Sequence, residues 1–169
     1  MELVEEIPVM YYPDCPEEII YRYQDTVYRI AFTYCRNSSD AQDVAQEVFI
    51  RYIKKLPSLK SEEHLKAWLI RVTINTAKSL LTSSWFKKVV PITEHLPATT
   101  EDSPCPDTYN AVMSLPDKYR AVVMLYYFED YSVKEIAQIL SRTETAVQTQ
   151  LQRARAILKN ILKEDWSND

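Results

Sequence analysis

Thr145, Gln148, Thr149, Gln152 and Arg155 recur at steps of three and four residues near the end of the chain. On a helix, such spacing puts them on one face. A glutamine can pair bidentately with adenine, a threonine can meet a base edge or a phosphate, and an arginine can hold a phosphate. The chemistry on offer is recognition of nucleic acid rather than bond making. Other reactive residues are sparse. Cys15, Cys35 and Cys105 are odd in number and widely spaced, so they form neither a zinc pattern nor a disulfide framework. His64 and His95 have no metal-ligand spacing. A histidine–cysteine pair assembled by the fold is the one nucleophilic arrangement the spacing leaves open. The chain contains no glycine, so phosphate loops and dinucleotide turns built on glycine fall away.

The recognition face needs a scaffold, and residues 131–162 supply one. Ser132 and Glu135 have the spacing of a capping box, with Tyr131 and Ile136 placed as a hydrophobic staple. Val133, Ile136, Ala137 and Leu140 then form the buried stripe of a first helix. Ser141 and Arg142 make a short turn, and Thr143 caps a second helix. Val147, Leu151, Ala154, Leu158 and Leu162 give that helix its own apolar stripe. This pattern predicts a helix-turn-helix, with a plain helical hairpin as the alternative.

Charge is unevenly spread. The 169 residues carry a net −4, yet residues 51–88 hold +7 and residues 141–163 hold +4. Residues 1–25 hold −6 and residues 89–117 hold −5. Contact with DNA depends on the local field, so an acidic total is no obstacle. The N-terminus is acidic, unlike the basic start of a secretory signal. The longest apolar run, residues 121–128, is far short of the about 20 residues a membrane helix needs. A cytoplasmic location is expected, with reduced cysteines.

Helical periodicity dominates the N-terminal half as well. Ile20, Tyr23, Val27, Ile30 and Tyr34 mark one face over residues 16–36. Asn37, Ser38 and Ser39 break that helix and cap the next, which runs over residues 40–56. Ala41, Val44, Ala45, Val48 and Tyr52 form its stripe, while Phe49, Ile50 and Ile53 widen the apolar surface beyond one neighbour's reach. A third helix is predicted over residues 62–81, with Leu65, Trp68, Leu69 and Val72 inward and Arg71, Asn75 and Lys78 together outside. Pro91, Pro97, Pro104 and Pro106, with acids and Ser/Thr between them, read as a linker. A short helical piece over residues 111–115 and a helix over residues 117–128 lead into the helix-turn-helix.

Three blocks in this order resemble the sigma-70 family, in its small two-domain extracytoplasmic-function class. They are DAQDVAQEVFIRYIKKL at 40–56, HLKAWLIRVTINTAKSLL at 64–81, and the segment from Leu115 through Lys159. The resemblance implies that residues 40–56 dock on core RNA polymerase through Asp40, Asp43, Gln46, Glu47, Phe49 and Tyr52. It implies that residues 59–88 recognise and open the minus-ten element, with Lys60, His64, Arg71, Asn75 and Lys78 on the DNA. Ser79 and Thr82 stand where relatives often carry an acid and an arginine. It implies that Arg142, Thr143, Thr145, Gln148, Thr149, Gln152, Arg153 and Arg155 read the minus-thirty-five element. The three arginines would anchor phosphates, with internal pairing as the alternative for Arg153.

The expected fold is all-α: two small helical domains joined by an acidic, proline-containing linker. Residues 1–88 correspond to sigma region 2, 89–110 to the linker, and 111–169 to sigma region 4. The expected function is promoter-specific initiation by an alternative sigma factor, with no catalysis and no cofactor. Expected partners are core RNA polymerase, promoter DNA and an anti-sigma factor, with no small-molecule substrate and a monomer when free. The rival reading is a conventional helix-turn-helix regulator that binds duplex DNA without replacing the primary sigma factor.

Overall fold

The computed structural model describes residues 15–55, 61–83 and 106–167. Helix α1 spans Pro16–Cys35. It opens with proline in its first turn, where the missing N–H costs nothing, and Glu17 and Glu18 complement the helix dipole. Arg36 ends it in the left-handed conformation, and its N–H reaches back to the Phe32 carbonyl. Asn37 then starts α2, Ser38–Lys55. The Asn37 Oδ1 accepts the Asp40 N–H at 2.8 Å, as the sequence predicts for this break.

Helix α3 spans Glu62–Thr82, and Ser61 caps it by accepting the His64 N–H at 3.3 Å. Helices α1, α2 and α3 pack pairwise around Val27, Val44, Val48, Leu65 and Leu69. The inward register of α1 begins at Ile19, which is fully buried, rather than at Ile20, which is only partly covered.

In the second half, α4 spans Pro106–Met113 and α5 spans Asp117–Val123. Thus residues 106–110, read from sequence as the end of the linker, are helical. The predicted helix over residues 117–128 changes character partway: Met124–Phe128 is a π-helical turn. This wider turn brings Tyr127 and Phe128 to the surface. Helix α6, Val133–Leu140, carries the predicted capping box: Ser132 accepts the Glu135 N–H, and the Glu135 carboxylate accepts the Ser132 N–H at 2.8 Å. That exchange holds the Glu135 carboxyl below the usual carboxylate range. Ser141 adopts the left-handed conformation, and the Arg142 N–H returns to the Ala137 carbonyl at 2.9 Å. Thr143 caps α7, Glu144–Ser167, by accepting the Ala146 N–H at 3.1 Å. Val147, Leu151 and Ala154 bury the inner stripe of α7 against α5 and α6. With no glycine in the chain, the left-handed positions fall to Arg36, Asp130 and Ser141 among the described residues.

The two halves share one apolar core. Helix α5 packs on α1, and α6 packs on α3. Arg120 of α5 is wholly buried and donates to the carbonyls of Thr33 and Leu115. From α1, Arg36 donates to the Met113 carbonyl at 2.7 Å. Glu129, buried at the end of the π turn, accepts Arg29 at 2.9 Å and has Lys66 at 3.5 Å.

Candidate nucleic-acid interface

The outer face of α7 is built as the sequence predicts. Thr145, Gln148 and Gln152 are exposed, and Thr149 is half-buried beside them. Thr143 is exposed at the cap. The inner stripe of Val147, Leu151 and Ala154 fixes the rotation of the helix, so these polar residues must face out. Such a face can enter a major groove and present amides to base edges.

The three arginines are less free than their exposure suggests. Arg142 donates to Gln150 Oε1 at 2.7 Å. Arg155 Nε donates to the Tyr127 hydroxyl at 2.7 Å, and its guanidinium lies over the rings of Tyr126 and Tyr127. The Arg153 guanidinium, with help from the Lys118 ammonium, holds the Tyr119 phenol below the usual tyrosine range. Each guanidinium has five donors, so a phosphate can still be met by those not already engaged.

On α3, Arg71, Asn75 and Lys78 are exposed on one face, and His64 is exposed at the start of the helix. Lys60 lies outside the described residues, as does the rest of 56–60. Lys78 lies over the Tyr34 ring at 5.9 Å. It lines the same interdomain cleft as Arg142, so one residue from each predicted DNA-contact set meets there.

The α2 face divides differently from the sequence expectation. Asp43 and Gln46 are exposed, and Glu47 pairs with Arg51 at 2.8 Å. Asp40 is half-buried and accepts the Asn37 side-chain amide, so part of its carboxylate serves the helix start. Tyr52 is a correction: it is only 1% exposed and packs toward Trp68, out of a partner's reach. The excess apolar width of α2 forms one wall of an apolar groove of about 550 Å³ between α1 and α2. Ile20 and Tyr28 line one side, and Ala45, Phe49, Ile50 and Ile53 line the other. Gln42 and Gln46 stand along its edge. Ile50 and Ile53 are 44% and 49% exposed, an unusual state for isoleucines grouped on one helix.

No nucleophile emerges from Cys35. Burial first, and then the Asp40 and Asp43 carboxylates, push its thiol up to about 12. His95 and Cys105 lie outside the described residues. Among the described residues, no cluster of His, Cys, Asp or Glu could hold a metal ion. No helix among them is long and apolar enough to cross a membrane.

A helix-turn-helix with an outward amide face, packed on a three-helix unit with a basic outer face on α3 and an apolar groove, has the make-up of a DNA-directed transcription factor. The comparisons with known proteins give the family. Residues 19–86 match Sigma-70 region 2, and residues 107–158 match Sigma-70, region 4. The RNA polymerase sigma factor SigV of Bacillus subtilis is 31% identical over 144 residues, covering 83% of this chain and 87% of its own length. The ECF RNA polymerase sigma factor SigW of the same organism is 27% identical over 169 residues, covering 89% and 90% respectively. The sigma factor RpoE from Bartonella quintana, solved with the anti-sigma factor NepR, shares the fold at a TM-score of 0.68. Its identity is 20%, over 87% of this chain and 96% of that one. CnrH, solved with the cytosolic domain of CnrY, has a TM-score of 0.63 and 21% identity over 89% and 88% of the two chains. The chain belongs to the sigma-70 family, among the extracytoplasmic-function factors. It is a sigma factor that binds core RNA polymerase and directs initiation at specific promoters. The match across residues 19–86 removes the rival reading of a conventional regulator.

Proposed function

We propose that the α1–α2 groove is the docking surface for core RNA polymerase. The exposure of Ile50 and Ile53 beside Phe49 carries this reading. An apolar centre edged by Gln24, Asp25, Gln42 and Gln46, with Asp43 and Glu47 elsewhere on α2, has the make-up of a protein interface. Residues 1–88 then act as the minus-ten unit, 89–110 as the linker and 111–169 as the minus-thirty-five unit. Arg71, Asn75 and Lys78, together with His64 and Lys60, track the opened strand. Gln148 and Gln152 read bases, Thr143, Thr145 and Thr149 complete that face, and Arg142, Arg153 and Arg155 hold phosphates. The protein works in the cytoplasm, as a monomer when free, and makes no bonds itself.

Reading two promoter elements requires the two DNA faces to stand apart by the length of the intervening duplex, about 3.4 Å per base pair. With the halves sharing a core, Lys78 and Arg142 stand at one cleft. The halves therefore separate when polymerase is bound. An anti-sigma factor, as in the complex of RpoE with NepR, would act by preventing that separation or by covering the groove.

The decisive experiment is transcription by purified core polymerase on a library of promoter fragments, with the chain and with an Ile50→Glu, Ile53→Glu variant. Start sites that need the wild-type chain and disappear with the variant support the docking surface. Undiminished initiation by the variant removes the groove from the interface.

A further inference from the structure

We propose that the cleft between the two halves is a binding site for a small phosphoryl anion, of phosphate to diphosphate size, that clamps the closed arrangement. Tyr34 of α1 and Lys78 of α3 line one side, and Asp117, Lys118 and Arg142 line the other. The cleft is about 360 Å³, at the small end of the about 300–1,000 Å³ typical of ligand sites.

Charge comes first. Three cations from three elements converge on this cleft, in a chain whose net charge is −4. The single carboxylate among them, Asp117, is drawn toward the buried Arg120 guanidinium at 3.1 Å. Three cations against one carboxylate that is already paired leave the cleft net positive, and low-dielectric walls strengthen its pull on an anion.

The second observation is independent of charge. Tyr34 is 8% exposed, and its hydroxyl has no hydrogen-bond partner among the described residues. A buried hydroxyl left unpaired costs about 1–3 kcal/mol and calls for an absent partner. Burial pushes the Tyr34 phenol up to about 12 despite the opposing field of Arg142, so near neutral pH it remains an O–H donor. An acceptor-rich anion suits that donor; a cation does not. Arg142 gives one donor to Gln150 and retains others of its fork, and the two ammonium groups add charge without demanding fixed geometry. Phosphoryl oxygens match this set better than a carboxylate, which carries only one charge.

The site exists only while the halves are together. An anion that touches both therefore favours the closed arrangement and opposes separation. Binding itself does not depend on the sigma-factor reading.

The test is titration calorimetry of inorganic pyrophosphate into the full chain, with a single-stranded oligonucleotide as a second arm. Lys118→Gln should weaken pyrophosphate at least tenfold, and Tyr34→Phe several-fold. Lys134→Gln, an exposed cation on α6 away from the cleft, should leave it unchanged. Glu129→Ala, which removes the ion pairs that Arg29 and Lys66 make across the halves, should also weaken it. Thermal denaturation without anion checks that each variant is folded. Equal losses from Lys134→Gln and Lys118→Gln would mean diffuse attraction and overturn the proposal. Uptake of oligonucleotide without pyrophosphate would also overturn it and assign the cleft to a nucleic-acid backbone. Transcription plays no part in the readout, so failure here leaves the docking proposal untouched.

Discussion

Arg29 and Glu129 lie 100 positions apart in sequence and 2.9 Å apart in space. The pair joins α1 to the end of the π turn. The carboxylate side chain is 2% exposed while Arg29 and Lys66 are partly solvated, so the cost of desolvation falls mainly on Glu129. Removing Glu129 leaves two cations that water can still reach. Glu129→Ala should therefore cost only about 1–3 kcal/mol of stability. Its larger effect should be on shape. Small-angle scattering should give a larger radius of gyration than the wild type, and free duplex binding should rise. An unchanged radius would show that apolar packing alone holds the halves together.

Arg120 makes the opposite kind of contact. Its charge is buried in the shared core, and its two amino groups satisfy carbonyls from both halves. Arg120→Ala would strand the Thr33 and Leu115 carbonyls and leave a cavity, with an expected loss of about 3–5 kcal/mol in urea unfolding. Arg120→Lys should recover little, because an ammonium lacks the planar fork. Full stability of the lysine variant would argue against the fork geometry.

The contrast between these contacts and the helix-turn-helix shows what the sequence reveals. Ser132, Glu135, Thr143 and the Val147–Leu151–Ala154 stripe are local signals, set by caps and period, and both helix starts and the buried face they imply are present. Arg120 and Glu129 are long-range. Their burial depends on a partner surface that no local pattern announces, so in the sequence they count as ordinary surface charge. Tyr52 fails as an interface residue for a related reason. Periodicity already put it on the inner stripe of α2, and that outweighs its place in a family motif. The outward isoleucines were legible as excess apolar width, but the groove they form needed Ile20 and Tyr28 from α1 to be seen.

Ser141 occupies a left-handed position that a glycine would fill without a Cβ penalty. Ser141→Gly should stabilise the second half by about 0.5–1 kcal/mol, since the relief of about 1–2 kcal/mol exceeds the added freedom of the unfolded chain. The shift should appear in urea unfolding, with unchanged promoter preference. A loss of stability would mean that the serine hydroxyl matters more than the backbone conformation.

Of the three glutamines on α7 near its start, Gln150 is already engaged by Arg142, whereas Gln148 and Gln152 have exposed side chains. Gln148→Ala should reduce discrimination at one promoter position by about 1–3 kcal/mol, the range of one bidentate base pairing. Because the amide is neutral, the salt dependence of binding should not change. Arg153→Gln should do the reverse: weaken all promoters alike and lower the slope of log K against log salt by about 0.9 for each phosphate the side chain no longer neutralises. Arg153 acts on the Tyr119 hydroxyl through only part of its five-donor fork, so the remaining donors can grip a phosphate without that contact being lost. Measuring binding of wild type and both variants, in complex with core polymerase, to promoters altered one base at a time and at several salt concentrations separates the two roles. A salt-slope change from Gln148→Ala, or a base-specific effect from Arg153→Gln, would exchange the assignments.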